Sequence, residues 1–416
     1  MKKIIFLITV FFSGVVSVCF AAQPIRTQPF SEQVKTLLVR LTSNWEASPI
    51  LELQGNDAID IRFDVLGSAP GYYRYSVTHC NADWTPSALL PSEYLNGLQN
   101  NYITDYVQSF NTTMDYIHYQ LFIPNNEVQL KVSGNYVLQV WDEQDHLLLN
   151  ACFSVVDPRA SVRMQASSVT DKGVNNYYQA VSFEILYGDE IRVPLQDLKV
   201  YVQQNRRFDN EAALLKPLSV QNRKAIYDHN PALIFDGGNE YRSFEMTTTK
   251  WNGWGIETVE YYAPYYHTIL KPGYRRGDRS YSYNEDLNGR FYIRRNDADD
   301  SNTEADYEIV HFYIPCDQPF TEKVYILSDA FYNLLNADSQ MEYSATDKGY
   351  VKTVLLKEGY YNFLYVTQKG NATAASTALL EGNYYETENE YCLMVYFRPL
   401  GGRYDQLIAV QTLEYK

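Results

Sequence analysis

The sequence lacks the residue patterns that carry common enzyme chemistry. It has no Gly-x-Ser-x-Gly elbow, no phosphate-binding loop and no dinucleotide-binding glycine fingerprint. Its six histidines are scattered, and no pair of them stands at metal-ligand spacing with a cysteine or carboxylate in register. Carboxylates are too abundant for any one pair to indicate glycosidase chemistry. We therefore predict a protein that is not an enzyme and has no catalytic residues, no cofactor and no metal.

Long apolar runs are absent after residue 22, and residues 1–22 have the pattern of a secretory signal peptide. Lys2 and Lys3 precede an apolar run that continues to Phe20 and is followed by two alanines. A lipoprotein signal that uses Cys19 is disfavoured, because Val18 occupies a position that requires a small residue. A transmembrane helix needs about 20 apolar residues, which no later window contains. We expect an exported protein without a transmembrane segment of its own.

Positive charge is also scarce. The formal net charge is −15, and it becomes −17 when a leader with two lysines is removed. Nucleic-acid binding depends on Lys and Arg side chains that release counterions from phosphates. The short pairs Arg275-Arg276 and Arg294-Arg295 are typical of solvated strand ends. We therefore expect no nucleic-acid partner.

Cysteine is rare, with five residues in the chain and four after the leader: Cys80, Cys152, Cys316 and Cys392. An exported chain can oxidise them. Bridges between Cys80 and Cys152 and between Cys316 and Cys392 are the simplest of the three possible pairings, because each stays within one predicted domain. The alternative, which we favour, is that these thiols are small buried side chains in domains large enough to fold without crosslinks.

Residues that favour β-structure are abundant, including 38 tyrosines and 19 phenylalanines. From Ile59 to Val65, apolar residues alternate with charged ones, which predicts a strand with one buried face. The same period of two recurs from Val181 to Tyr187 and from Leu198 to Val202. The composition and the patterns together predict an all-β protein.

Helical periodicity is nearly absent. The best candidate, residues 87–100, is interrupted by Pro91 and Gly97, so it predicts at most one or two turns. Near the end, two strand patterns at 350–356 and 360–366 are separated by Lys357-Glu-Gly359. This spacing predicts a hairpin with a bulge at the glycine.

The length after the leader, about 394 residues, accommodates three sandwich domains of roughly 100 to 130 residues. We predict domains at 30–158, 159–305 and 306–416, each an immunoglobulin-like or early-set β-sandwich. The first boundary follows Asp157-Pro158, and the second follows the acidic segment 296–306, which we interpret as a solvated linker.

The acidic segment also has a weak likeness to a calcium loop. Asp297, Asp299, Ser301 and Glu308 fall at positions 1, 3, 5 and 12 of that pattern. Asn302 stands where the pattern requires glycine, and a strand rather than a helix follows. We favour the linker over a calcium site.

An aromatic cluster is the one candidate for a binding surface. Trp251-Asn-Gly-Trp254 leads to a run of tyrosines that ends at Tyr265 and Tyr266. Such residues are enriched in interfaces because they offer large, rigid contact area with a polar end. They also fill sandwich cores, and for the tyrosines we favour core or edge packing in so tyrosine-rich a chain.

A set of short motifs in a fixed order indicates a family. The most specific motif is Tyr75-Ser-Val-Thr-His-Cys-Asn-Ala-Asp-Trp-Thr-Pro-Ser87. Others follow at Glu93-Tyr-Leu-Asn-Gly97, Ser109-Phe-Asn-Thr112, Tyr116-Ile-His-Tyr119, Ile123-Pro-Asn-Asn126 and Ser133-Gly-Asn-Tyr136. Later segments include Gly238-Asn-Glu-Tyr-Arg242 and Arg398-Pro-Leu-Gly-Gly-Arg-Tyr-Asp405. Together they resemble the type IX secretion system plug protein family, most specifically its first domain.

This resemblance implies a function based on binding. A member of the family is expected in the periplasm, bound to the large outer-membrane β-barrel translocon of the type IX secretion system. It would close the periplasmic opening of that barrel until substrate or a partner displaces it. One alternative is a periplasmic or surface glycan-binding protein that uses Trp251 and Trp254 as stacking platforms. Another is a scaffold in cell-envelope assembly with no role at a pore.

Overall fold

The structure, a computed structural model, describes residues 24–416. The predicted signal peptide over 1–22, with Cys19, lies outside these residues. Within them, regular structure is almost entirely strand, with 31 strands, three single-turn helices and two short 3-10 turns. The strands form sheets that enclose separate hydrophobic cores. The predicted all-β, multi-domain, sandwich-like class is confirmed.

The N-terminal body, residues 24–157, is a sandwich of two sheets. Its strands are β1 (Gln28–Pro29), β2 (Val34–Leu41), β3 (Ile50–Glu52), β4 (Ile59–Leu66), β5 (Arg74–Cys80), β6 (Leu95–Gly97), β7 (Asn101–Tyr102), β8 (Tyr106–Gln108), β9 (Tyr116–Ile123), β10 (Val128–Leu130), β11 (Gly134–Trp141) and β12 (Leu147–Val156). One sheet has the order β2-β4-β9-β8, and the other has the order β1-β12-β11-β5-β7. The apolar residues of β4, including Ile59 and Phe63, face the core as predicted. The helix α1 (Pro91–Tyr94) is a single turn, as expected for that segment.

The central body begins with β13 (Ser161–Ser167), β14 (Val169–Thr170), β15 (Gly173–Val174), β16 (Tyr178–Leu186), β17 (Leu198–Gln204), β18 (Ser219–Gln221), β19 (Lys224–Tyr227) and β20 (Ile234–Asp236). The helix α2 (Pro194–Asp197) precedes β17. One sheet contains β13-β16-β19-β18, with β20 also beside β16. The alternating residues Val181, Phe183 and Ile185 of β16 point into the core, as the period of two predicts.

The inserted body, residues 237–388, contains β21 (Arg242–Met246), β22 (Ile256–Tyr262), β23 (Tyr265–Leu270), β24 (Phe291–Ile293), β25 (Tyr307–Pro315), β26 (Lys323–Leu327), β27 (Gln340–Ser344), β28 (Gly349–Lys357) and β29 (Gly359–Gln368). The helix α3 (Ser301–Glu304) precedes β25. The strands follow one path, β21-β29-β26-β27-β28-β25-β23-β22, and β24 lies beside β29. This path places β22 at an edge of the sheet.

The chain then returns to the central body through β30 (Asn389–Phe397) and β31 (Gln406–Tyr415). Strand β30 pairs with β17 along its length, with Leu198 opposite Phe397 and Gln204 opposite Tyr391. Residues from both stretches share one core. The central body therefore consists of residues 158–236 and 389–416, interrupted by the inserted body.

The predicted boundary between residues 305 and 306 falls inside the inserted body. Strand β23 lies parallel to β25, with His267 opposite Ile309. The rings of Phe244 and Phe312, from either side of the predicted boundary, lie 5.9 Å apart in the same core. Strands before and after position 305 therefore belong to one sheet and one core. No local pattern shows which earlier strand a late strand pairs with.

The predicted hairpin at 350–366 is wrong. Strand β28 pairs with β25 and β27, whereas β29 pairs with β21, β24 and β26. The chain crosses between the two groups at Glu358, whose side chain is buried. Gly359 is required for a different reason, because a Cβ atom there would lie 2.3 Å from the carbonyl oxygen of Tyr292. Two adjacent strand patterns and a glycine do not distinguish a hairpin from a crossing of this kind.

Candidate functional site

The two predicted tryptophans lie in the loop between β21 and β22, and both indole rings are exposed. Trp251 is 58% accessible and Trp254 is 64% accessible. The loop backbone is held against β21, because the N–H of Glu245 donates a hydrogen bond of 2.9 Å to the carbonyl of Trp254. A Cβ atom at Gly253 would lie 2.0 Å from the carbonyl oxygen of Glu245. The rings therefore project from a closely packed loop.

The predicted tyrosines lie at the tip of the hairpin formed by β22 and β23. Tyr261 pairs with Tyr266 across the hairpin, with ring centroids 4.9 Å apart, and Tyr262 pairs with Tyr265. Tyr261 and Tyr262 are exposed, whereas Tyr265 and Tyr266 are partly buried. Tyr265 and Tyr266 thus pack partly within the edge hairpin, and their exposed neighbours form the surface of the tip.

The structure separates the predicted aromatic cluster into two places. Trp254 lies at the base of the hairpin, where Lys271 Nζ is 5.9 Å from the indole centroid. The tyrosines lie at the other end, about 20 Å away for strands of this length at roughly 3.3 Å per residue. A single small ligand cannot contact both ends of the hairpin, although a large partner surface can. The sequence analysis grouped these residues because they are near one another in the chain. It did not predict the separation, because a hairpin places its tip far from its base.

A pocket of about 390 Å³ opens at the base of this hairpin. Aromatic residues Trp254, Phe363 and Tyr365 line it, together with side chains from the loop that follows β23. Four of its lining residues are cationic and none carries a carboxylate: Arg242, Lys271, Arg276 and Arg279 supply the charges. Trp254 was the only residue of this pocket that the sequence singled out as a candidate binding residue. The cations were missed because they are spread over 38 residues, from Arg242 to Arg279.

The acidic segment before β25 does not form a calcium loop, and of its residues only 296–300 are mostly exposed. Asp297 is paired with Lys250 and Arg295, and the hydroxyl of Ser301 accepts a hydrogen bond from the backbone of Arg295. Glu308 points into the inserted body and is completely buried. The predicted calcium ligands therefore do not converge. Residues 301–304 form α3, which packs against the N-terminal body.

All four cysteines of residues 24–416 are free. Strands β5 and β12 flank β11, and Cys80 and Cys152 lie opposite Asn135 and Val137 of that strand, so their backbones are more than about 9 Å apart at the usual strand spacing. A disulfide requires Cα atoms within about 7 Å. Cys316 packs against the inserted core, whereas Cys392 belongs to a cluster of the central body. The fold therefore separates both of the predicted pairs.

The most specific sequence motifs meet at one buried junction between the N-terminal and central bodies. The backbone N–H of Ala82 donates to Oδ2 of Asp405 at 3.0 Å. Arg398 bridges the motifs, because its Nε donates to Asp405 Oδ1 and its Nη2 donates to Asn81 Oδ1, each at 2.7 Å. Asp405 is completely buried and also pairs with Lys199 at 2.9 Å. The motifs that indicate the family therefore hold two bodies together, a role that sequence alone did not reveal.

A second buried network joins the N-terminal and inserted bodies. Asp64 accepts hydrogen bonds from the hydroxyl of Tyr307 at 2.7 Å and from Nζ of Lys357 at 2.5 Å. Its other oxygen lies 2.6 Å from Nδ1 of His118, which is buried and hydrogen-bonded as a packed histidine should be. Burial alone would raise the pKa of Asp64, but Lys357 and His118 outweigh it and hold that pKa below its usual value. The Asp64 carboxylate is thus the ionised centre of this contact.

The part of the chain that the structure describes contains no group of three or more His, Cys, Asp or Glu side chains placed to hold a metal ion. None of the helices within residues 24–416 has the length and apolar character that crossing a bilayer requires.

These features define a class: an all-β protein of several packed sandwich bodies whose candidate sites are aromatic and charged surfaces. Residues 34–157 match the family model described as the first domain of the type 9 secretion system plug protein. A crystal structure of a hypothetical protein from Parabacteroides merdae ATCC 43184 is similar to most of this chain. It has 43% sequence identity and a TM-score of 0.93, and the alignment covers 94% of this chain and 100% of that one. No protein with a curated description matches the chain. The chain therefore contains a first domain of the type IX secretion system plug protein family, which gives it a role related to that secretion system.

Proposed function

We propose that this protein is a non-enzymatic periplasmic subunit that binds the outer-membrane translocon barrel of the type IX secretion system. It occludes the periplasmic opening of the barrel until substrate or a partner subunit displaces it. The observation that carries this proposal is the first domain of the plug family at residues 34–157. The proposed mechanism is steric, so it requires a body of suitable shape rather than reactive groups.

A steric plug must keep its shape while it blocks the pore, so its bodies must not separate. The two buried networks around Asp64 and Asp405 support this requirement, because they fix the N-terminal body to both other bodies. Breaking either network would leave an uncompensated buried charge, so the bodies resist separation. A rigid plug also loses little conformational entropy when it binds.

The seal must also be reversible. An interface of about 1,200 to 2,000 Å² can give specific binding without being permanent. Substrate or a partner then opens the pore by binding the open barrel better than the closed one. The net charge of −17 without the leader favours a basic rim on the barrel. Association should therefore weaken as the salt concentration rises.

The hairpin tip is a candidate contact surface on the plug. Tyr261 and Tyr262 are exposed at an edge strand, and Trp251 is exposed in the preceding loop. Exposed Tyr and Trp side chains commonly supply much of the binding energy in an interface. A photo-crosslinking residue at position 262 should capture the barrel, whereas one at the exposed position 369 serves as the control.

Affinity purification of the tagged, full-length protein from its native cell envelope tests the proposal. We expect recovery of a very large outer-membrane β-barrel, and less of it when secretion substrate occupies the translocon. Recovery of glycan-utilisation proteins, or of no barrel at all, would contradict the proposal. A barrel that is recovered equally with and without substrate would contradict displacement but not binding.

A glycan-binding function is the second candidate, supported by the exposed indoles of Trp251 and Trp254. Exposed tryptophan rings provide flat apolar faces with a polar end, as a sugar-stacking site requires. The double substitution Trp251→Ala and Trp254→Ala should abolish retention on a polysaccharide matrix if this function is correct. If the plug proposal is correct, the unsubstituted protein should not be retained on the polysaccharide matrix. Retention of the unsubstituted protein therefore distinguishes the glycan-binding function from the plug function.

A further inference from the structure

The pocket at the base of the hairpin has a local charge opposite to that of the whole protein. Its lining contains Arg242, Lys271, Arg276 and Arg279 and no carboxylate, in a chain with a formal net charge of −15. A concave site lined by one sign of charge concentrates ligands of the other sign. The pocket therefore attracts anionic groups even though the rest of the protein repels them.

Two of the four cations are held in fixed positions. The completely buried carboxylate of Glu381 accepts hydrogen bonds from Nε of Arg242 at 2.9 Å and from Nε of Arg276 at 2.6 Å. Arg242 also donates to the carbonyl of Tyr274 at 2.7 Å. One carboxylate thus orients two guanidinium groups in the lining of the pocket.

The other two cations are available to a ligand. Lys271 and Arg279 are exposed, and neither forms an ion pair within the described part of the chain. Lys271 lies near the exposed ring of Trp254, at the mouth of the pocket. Incoming carboxylates can pair with these two side chains without first displacing an internal partner.

The rest of the lining is partly apolar and partly polar, and its polar residues are Asn239, Ser243, Ser280, Ser282 and Asn284. Trp254, Leu270, Phe363 and Tyr365 line the pocket beside the cations. The wall at Tyr365 requires glycine opposite it, because a Cβ atom at Gly273 would lie 2.3 Å from Cε2 of that ring. Apolar walls beside cations suit a ligand that carries apolar side chains next to its carboxylates.

We infer that this pocket binds an acidic peptide segment containing an apolar or aromatic residue. A volume of about 390 Å³ is far larger than an inorganic anion needs, since one water molecule occupies about 30 Å³ in the liquid. The hydroxyl groups of a sugar acid could bond to Ser243, Ser280 and Ser282, but they would not match the apolar surface of Trp254, which an apolar residue of a peptide covers. This inference goes beyond the proposed function and does not depend on the translocon.

Fluorescence anisotropy with a labelled peptide, Glu-Glu-Phe-Glu-Glu, tests the inference on the full-length protein. We expect saturable binding that weakens with salt, and no binding of the analogue with glutamine in place of glutamate. The double substitution Lys271→Glu and Arg279→Glu should weaken binding at least about tenfold, which is about 1.4 kcal/mol. Trp254→Ala should also weaken it.

The matched control is the double substitution Arg192→Glu and Lys369→Glu, which changes the net charge equally at exposed positions outside the pocket. It should alter affinity less than twofold, and an equal loss in both variants would overturn the inference. Failure of the unsubstituted protein to bind the peptide would also overturn it. So would equally strong binding of inorganic sulfate, or stronger binding of polygalacturonate, since either identifies another ligand. Thermal unfolding of each variant verifies that the substitutions leave the fold intact.

Discussion

Nζ of Lys357 lies 2.5 Å from Oδ2 of Asp64, and both side chains are only 1% exposed. The two residues come from different bodies, the inserted and the N-terminal. Lys357 also donates to the carbonyl of Asn302 at 2.6 Å and lies 4.0 Å from the centroid of the Tyr116 ring. The ammonium group is therefore surrounded by partners that compensate for its loss of water.

Substitution Lys357→Met should destabilise the protein strongly. It leaves the Asp64 carboxylate buried without its cation, which typically costs about 3 to 5 kcal/mol. Urea unfolding measures the effect as a lower midpoint. Lys250→Met is the matched control, because Lys250 forms an exposed ion pair of 2.6 Å with Asp297. That change should cost less than about 1 kcal/mol. Equal losses in the two variants would mean that the buried pair does not hold the bodies together.

Glu308 should make stability depend on pH. Burial raises its pKa to about 7 from an ordinary value of 4.5, so the folded state holds a proton that the unfolded state releases. Its contribution is therefore fully present below about pH 4.5 and is lost as the pH rises through about 7, a loss on the order of 3 kcal/mol. Glu308→Gln keeps the group neutral at every pH.

Urea unfolding of the unsubstituted protein and of Glu308→Gln, at about pH 5 and about pH 8, measures this contribution. We expect the two proteins to be similar at the lower pH and the variant to be more stable at the higher pH. Glu342→Gln, at an exposed position of β27, should show no such divergence. A constant difference between the unsubstituted protein and Glu308→Gln would contradict the prediction.

Gly97 and Gly67 have similar backbone angles but different surroundings. Alanine substitutions at the two positions therefore distinguish the cost of backbone strain from the cost of steric overlap. Gly97 has φ of +126° and Gly67 has φ of +133°, and an alanine is strained at both. A Cβ atom at Gly97 would lie 1.8 Å from the carbonyl oxygen of Glu127, whereas nothing lies within 4 Å of one at Gly67. We expect Gly97→Ala to lower the free energy of unfolding more than Gly67→Ala, as measured in urea. The reverse order would show that β6 and β10 are not so closely paired.

The four cysteines should differ in reactivity. Burial raises the pKa of Cys80 and Cys152 to about 12 and that of Cys392 to about 11, so these thiols rarely ionise. Cys316 is partly exposed. Mass spectrometry after treatment with iodoacetamide should therefore show one adduct, at Cys316, in the folded protein. It should show adducts at all four positions in urea without reductant. Fewer than four adducts in urea would indicate disulfides and contradict free thiols.

The sequence predicts individual strands better than their partners. The alternation from Ile59 to Val65 correctly predicted a strand with one buried face. It did not predict that Asp64, on the opposite face, is buried too. A period of two places the charges on one face, but it does not indicate whether water or another body covers that face. The same limit explains why residues 301–306, polar enough for a linker, instead pack against the N-terminal body, whereas residues 296–300 are mostly exposed.

The binding residues illustrate a related limit. The composition of the loop at Trp251 and Trp254 indicated exposed aromatic surface, and the structure places both rings in solvent. Nothing local indicated that Trp254 shares a pocket with Arg242 and Arg279, because their proximity depends on how β21 and the loop after β23 pack. Whether the aromatic residues contact a partner stays a prediction.

The discontinuous central body affects the order in which the chain can fold. Its second sheet remains incomplete until β30 and β31 pair with β17, and these strands are synthesised only after the whole inserted body. Until then, the edge of β17 has no partner strand and part of the apolar face of the first sheet lacks cover, so both are open to aggregation. The interval from Gln204 to Asn389 must also close as a loop, and non-local pairing of this kind is slow. A holdase that protects emerging chains should therefore be needed for longest at the middle of this protein, rather than at its C-terminal end.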